Sequence, residues 1–142
     1  EYIRELSNRI NVLYNINPRI YIIYSKKNEA IEGSCMPAYR KDRMYLEVII
    51  PYNYTTFGKK HQAEVASTVI HEYGHYLTEL SYTAKDRVNL AKAYEANQLV
   101  RRYDEQSNWT STKRLAKQLR LWTKLFYNVC KSCYYSSNLK FD

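Results

Sequence analysis

Glycine, proline and cysteine each occur only three times among the 142 residues, and no apolar run approaches the roughly 18 residues that a membrane-spanning helix requires. The cysteines, Cys35, Cys130 and Cys133, are too few and oddly numbered for the disulfide framework of a small secreted domain. A reducing compartment is expected instead. The opening stretch EYIRELSNRI carries charges where a secretory signal needs an apolar core, which points to an intracellular, cytoplasmic chain. No internal repeat, no low-complexity segment and no linker that would split the chain is visible.

Hydrophobic residues make up 45% of the chain and charged residues 25%, a balance that excludes a disordered polymer and fits one globular domain. Twenty-two Lys and Arg against 14 Asp and Glu leave a net charge of +8, enough to draw acidic partners without choosing among nucleic acid, an anionic membrane and an acidic protein. Sixteen tyrosines are unusual for this length, and composition alone assigns them no function.

Hydrophobic spacing predicts the elements. Ile3, Leu6, Ile10 and Leu13 recur at helical intervals, so an amphipathic helix opens the chain and ends near the NINP turn. RIYIIY, 19–24, is β-branched and aromatic and reads as a buried strand. SCMPAY, 34–39, reads as a short strand that Pro37 confines to a sheet edge, and RMYLEVII, 43–50, as a stronger one. After the polar loop PYNYTTFGKK the pattern turns helical from about Gln62, with Val65, Ala66, Val69, Ile70, Tyr73, Leu77 and Leu80 as its apolar stripe. A second helix is expected over 85–103, capped by Thr83 with Asp86 three residues on, and a third over 112–129 along Leu115, Leu119, Trp122, Phe126 and Val129. Helix, short mixed sheet, then helices is an α+β order.

The chemistry concentrates in TVIHEYGHYL, 68–77. Helical positions i and i+4 lie one above the other, so His71 and His75 are spaced to aim two imidazoles at one zinc ion. Glu72 is rotated off that face by about 100° and is placed instead to accept the proton of a water attacking a polarised carbonyl. Gly74 costs a helix interior about 1 kcal/mol relative to alanine, which implies that something packs closely against the backbone there. The plain alternative is a chance pair of helix histidines beside a glutamate. Zinc needs a third protein ligand, and His61, ten residues before His71, reads better as a surface or capping residue. Glu95 is the choice, because it shares a face with Val88, Ala91 and Leu99, and a carboxylate on an inward apolar stripe is costly unless bound. Glu79 would crowd His75, and Asp104 and Glu105 read as solvated.

HEYGH followed by YEANQL resembles the gluzincin metallopeptidases, and the segment from Gly33 to Leu77 with EAN after it is most similar to the small ImmA/IrrE-type and minigluzincin proteins. The resemblance spans roughly 15–103. It implies a zincin-like fold, a zinc-dependent endopeptidase acting on a protein or peptide, His71, His75 and Glu95 as ligands of Zn2+, and Glu72 as general base. It also implies that an extended substrate adds antiparallel to the SCMPAY edge. Two features depart from the pattern. Position 99 is Leu where the thermolysin-type sequence carries an aspartate that orients the first histidine, leaving Gln98 or Asn97 for that work. The transition-state donor beyond the ligand helix has no assigned position here; Tyr103 and Arg102 are candidates among many aromatics.

Weaker signals remain. CKSC, 130–133, is a lone C-x-x-C pair that reads better as two thiols than as a structural zinc site. Cys35 reads as a core thiol rather than an inhibitory ligand. Lys113, Lys117, Arg120 and Lys124 form a basic stripe on the last expected helix, ordinarily a solvated face, with nucleic-acid contact as the functional alternative. The competing function is accordingly a catalytically silent or latent zincin scaffold acting as a basic nucleic-acid-binding or structural module.

Overall fold

The computed structural model describes residues 2–26, 32–36, 44–51, 59–80, 83–96 and 98–133. Along the chain these form α1 (Tyr2–Tyr14), β1 (Arg19–Ser25), β2 (Glu32–Met36), β3 (Tyr45–Pro51), α2 (Lys59–Glu79), α3 (Ala84–Ala96), α4 (Gln98–Gln118) and α5 (Lys124–Cys133). The α+β order expected from the hydrophobic pattern is present.

Helix α1 buries Ile3, Leu6 and Ile10 and stops where Asn15 turns left-handed at φ 51°. The Ile16 amide donates to the Asn11 carbonyl at 3.0 Å and the Asn15 amide to Val12 at 3.4 Å, a reversal that asparagine tolerates well. Strand β3 is the centre of a three-stranded sheet of order β1-β3-β2. It pairs parallel with β1, Ile20 opposite Leu46, and antiparallel with β2, Cys35 opposite Leu46. Among the described residues β2 is thus an edge, as expected from Pro37, though Pro37 itself lies outside them. Leu46, Val48 and Ile50 alternate into the core. On β1 the buried-strand expectation fails. Only Ile20 is buried there, while Tyr21, Ile23 and Tyr24 are exposed; among the described residues this strand pairs with β3 alone.

The core joins that inner sheet face to α1, α2, α4 and α5, through Val65, Val69, Ile70 and Tyr73 of α2 and Trp109, Leu119 and Phe126 beyond it. Each such side chain contributes on the order of 1.5–3 kcal/mol by leaving water. Tyr73 is fully buried and its hydroxyl donates to Asn11 Oδ1 at 2.8 Å, tying α2 to α1; burial pushes that hydroxyl above its ordinary pKa, so it stays a donor. Helix α3 is opened by the expected reciprocal cap: the Thr83 amide donates to Asp86 Oδ2 at 2.9 Å and the Asp86 amide to Thr83 Oγ1 at 3.1 Å.

Two expected helices are divided differently. The second ends at Ala96 rather than continuing to 103, and α4 then runs to Gln118, where the expected third helix breaks. Arg120 adopts φ 60°. The Leu121 amide donates to the Ala116 carbonyl at 2.8 Å and the Arg120 amide to Lys117 at 3.1 Å. Thr123 then caps α5 by accepting from the Phe126 amide at 3.1 Å. Arg9 Nη2 donates to the Leu119 carbonyl at 2.6 Å, so α1 helps to close the same helix end. A left-handed arginine costs about 1 kcal/mol that glycine does not. We expect Arg120→Gly to raise unfolding stability by about that amount, read from the urea midpoint; a stability loss would show that the arginine side chain, not the backbone turn, matters.

Candidate metal and catalytic site

His71 and Glu72 are each only 4% exposed, and His75 is half-buried one helical turn on. The two imidazoles lie with ring centroids 4.8 Å apart and planes at 86°, so the i, i+4 spacing has brought them to one place on α2. Glu72 Oε1 stands 4.0 Å from His71 Nε2. Two nitrogen donors and an adjacent carboxylate are therefore assembled at the inner end of α2.

The close packing that Gly74 implies is real, and its partner is Asn108 of α4. A Cβ at position 74 would run into Asn108 Oδ1 and come within 3.3 Å of its Cγ. Through that gap the Asn108 amide reaches His71: Nδ2 lies 3.2 Å from Nδ1 of the ring and donates to the His71 carbonyl at 3.2 Å. Asn108 is 5% exposed, and its Oδ1 has no hydrogen-bond partner among the described residues. Helices α2 and α4 run antiparallel, since Arg120 and Leu121 line a groove with Gln62, Ala63 and Ala66 while Asn108 meets His71 and Gly74.

Sequence reasoning missed Asn108. It sought the partner of the first histidine at Gln98 or Asn97; Asn97 lies outside the described residues, and Gln98 is the first residue of α4. The usable signal was Gly74 itself, which announces a close neighbour without naming it.

Glu95 is on α3 and exposed, as are Val88, at 53%, and Ala91, so these three residues of the expected inward stripe face solvent; the side chain of Leu99, the fourth, lies outside those described. Among the described residues α3 packs on α4 and not on α2, and no group of three His, Cys, Asp or Glu side chains converges. His61 is half-buried near the start of α2. Tyr103 falls within α4, its side chain outside those described, and Cys130 is buried in the core cluster. The residues present fit a zinc ion to the extent of two imidazoles and a proton acceptor; the third donor is not among the described side chains.

The basic stripe is not one face. Lys113 and Lys117 belong to α4, Arg120 sits in the reversal and Lys124 opens α5. Lys113 Nζ and Lys117 Nζ stand 5.5 and 5.8 Å from the Trp122 ring centroid, covering the indole. No helix among the described residues is long and apolar enough to cross a membrane.

No protein-family model matches this chain, and neither a curated protein nor a solved structure is detectably similar to it.

The Gly74–Asn108 contact makes a double-mutant test. Alone, Gly74→Ala should destabilise the protein by about 1–2 kcal/mol through overpacking. In an Asn108→Ala background the same change should stabilise by up to about 1 kcal/mol, the helix preference of alanine over glycine. Urea unfolding of the four proteins measures the sign; additivity would mean that the two residues do not touch in solution.

Proposed function

We propose that this chain is a zinc-dependent endopeptidase of gluzincin type. The observation that supports it is the convergence of the His71 and His75 rings beside the buried carboxylate of Glu72, on a helix that keeps a glycine so that Asn108 can reach the first histidine. A bound zinc would supply a Lewis acid for the scissile carbonyl and for the attacking water. The residues do the rest: His71 and His75 hold the ion, and Glu72 takes the water's proton and returns it to the leaving amine. The edge of β2, paired only with β3 among the described residues, offers backbone groups to an extended peptide.

The third donor has two sources. Glu95 carries the motif-based assignment. Helix α4 has the better position, because it is the one that reaches His71, and Asp104 and Glu105 occupy the turn before Asn108. A basic nucleic-acid-binding role is the weaker reading, since Lys113 and Lys117 are turned over Trp122 rather than arrayed with Arg120 and Lys124.

Metal content and peptidase activity of single variants test this. Glu72→Gln should bind zinc and fold as wild type while losing activity by about a hundredfold or more, because an amide cannot accept the proton. His71→Ala and His75→Ala should lose the ion. Alanine at Glu95, Asp104 and Glu105 in turn identifies the third donor, and we expect zinc to be retained in Glu95→Ala and lost from a variant in α4. A wild-type chain that cleaves no peptide library when zinc-loaded, or a Glu72→Gln chain as active as wild type, would refute the protease reading.

A further inference from the structure

We propose that the cavity between α1 and the start of β1 binds the phosphate group of a small phosphomonoester. The cavity measures about 460 Å³, and its polar lining is Arg4, Ser7, Asn8 and Asn11 of α1 with Asn17 of the turn and Arg19 of β1. No acidic residue lines it, and neither His71 nor His75 does.

Local structure holds these groups in place. The left-handed turn at Asn15 brings the chain back along α1, so Asn17 lines the same space as Asn8 and Asn11. Arg4 Nη1 donates to the Ile20 carbonyl at 3.1 Å, which ties α1 to β1 and sets the guanidinium at the cavity wall with its other N–H groups still to be used. Asn11 Oδ1 accepts from the Tyr73 hydroxyl at 2.8 Å, so its Nδ2 end is the one left to donate. Ser7 adds an independent sign of a ligand. It is 2% exposed and close to the Tyr73 phenol, yet its Oγ is in hydrogen-bond geometry with no described group. A buried hydroxyl left unmet is costly, and a ligand oxygen in the cavity would satisfy it.

The donor set selects the anion. Two guanidiniums, always charged, face one space and match a phosphate dianion better than a carboxylate of single charge. Amide, hydroxyl and guanidinium donors arriving from a helix, a turn and a strand also suit three tetrahedral oxygens rather than two planar ones. Tyr21 lines the cavity too; it is 45% exposed, and its ring is held at right angles to that of Tyr45 with centroids 5.3 Å apart. The organic part of the ester thus has an aromatic surface to rest on.

Isothermal titration calorimetry of the full chain against inorganic phosphate, methyl phosphate and phenyl phosphate tests this, with acetate as the carboxylate comparison. All three phosphates should bind, phenyl phosphate most tightly, and acetate about tenfold or more weakly than methyl phosphate. Arg19→Gln should weaken phosphate binding by about tenfold or more; the Arg19 side chain makes no hydrogen bond or ion pair with a described residue, so the fold should be kept. Ser7→Ala should weaken binding by about threefold to tenfold while the urea midpoint stays level or rises, because an unmet polar atom is removed. Lys92→Gln, an exposed α3 position with the same change in charge, should alter neither. Tyr21→Ala should remove the preference for phenyl over methyl phosphate. Absence of phosphate binding, acetate bound as tightly as phosphate, or equal losses in Arg19→Gln and Lys92→Gln would overturn the proposal. Phenyl phosphate bound no more tightly than inorganic phosphate would overturn the ester assignment and leave free phosphate as the ligand. A short single-stranded DNA without terminal phosphates that binds more tightly than the esters, and loses affinity in Arg19→Gln, would replace the small ester by a nucleic-acid strand.

Discussion

The approach of α4 to α2 at Gly74 is the constraint on which the rest of the site depends. Two helices pack at a distance set by the side chains between them, and here one of those side chains has been removed so that a buried amide takes its place. The contact fixes where α4 lies along α2, and so which residues of α4 face the histidines. It also bears on how His71 is held, because the Asn108 amide meets the ring at Nδ1 and ties α4 to the backbone carbonyl of the same residue. The remaining packing follows from that placement. With Asn108 level with His71, the antiparallel run carries Leu119 to the end where Arg9 of α1 can cap its carbonyl, and the chain then reverses to lay α5 against α2.

How much of this was legible in the sequence follows from how local each signal is. The histidine spacing, the Thr83–Asp86 cap and the apolar stripe of α2 all act within a few residues, and each is present as read. The reversal at Arg120 was not legible, since a left-handed helix end is ordinarily announced by glycine or asparagine and neither occurs there. The stripe from Leu115 to Val129 ran through it unbroken because both helices face the same core. For β1 a continuous apolar run could not say how many of its sides are covered. Glu95 is exposed rather than inward for a related reason: apolar neighbours at helical spacing mark an interface only when something packs on them, and Val88 and Ala91 are exposed as well. Asn108 is 37 residues from His71, and nothing local links them.

Buried polar groups elsewhere in α2 show why the site differs from ordinary helix packing. Ser67 and Thr68 are fully or nearly fully buried, and their hydroxyls donate to the Glu64 carbonyl at 2.8 and 3.1 Å, satisfied within their own helix. Asn108 is arranged otherwise, with one end of its amide engaged across the helix pair and the other buried without a partner, a penalty of about 1–3 kcal/mol. Gly74, at the same level, adds about 1 kcal/mol of lost helix preference.

An alanine at 74 facing a leucine at 108 would pack as an unremarkable helix pair with better propensity and no unmet polar atom. A fold under selection for stability alone has no reason to keep both departures, and proteins that violate local rules in this way generally do so where they act. The two departures coincide with the one turn of α2 that carries two histidines and a buried carboxylate. That coincidence, more than the five-residue spacing, is what supports the proposed site over a chance pair of histidines on a helix.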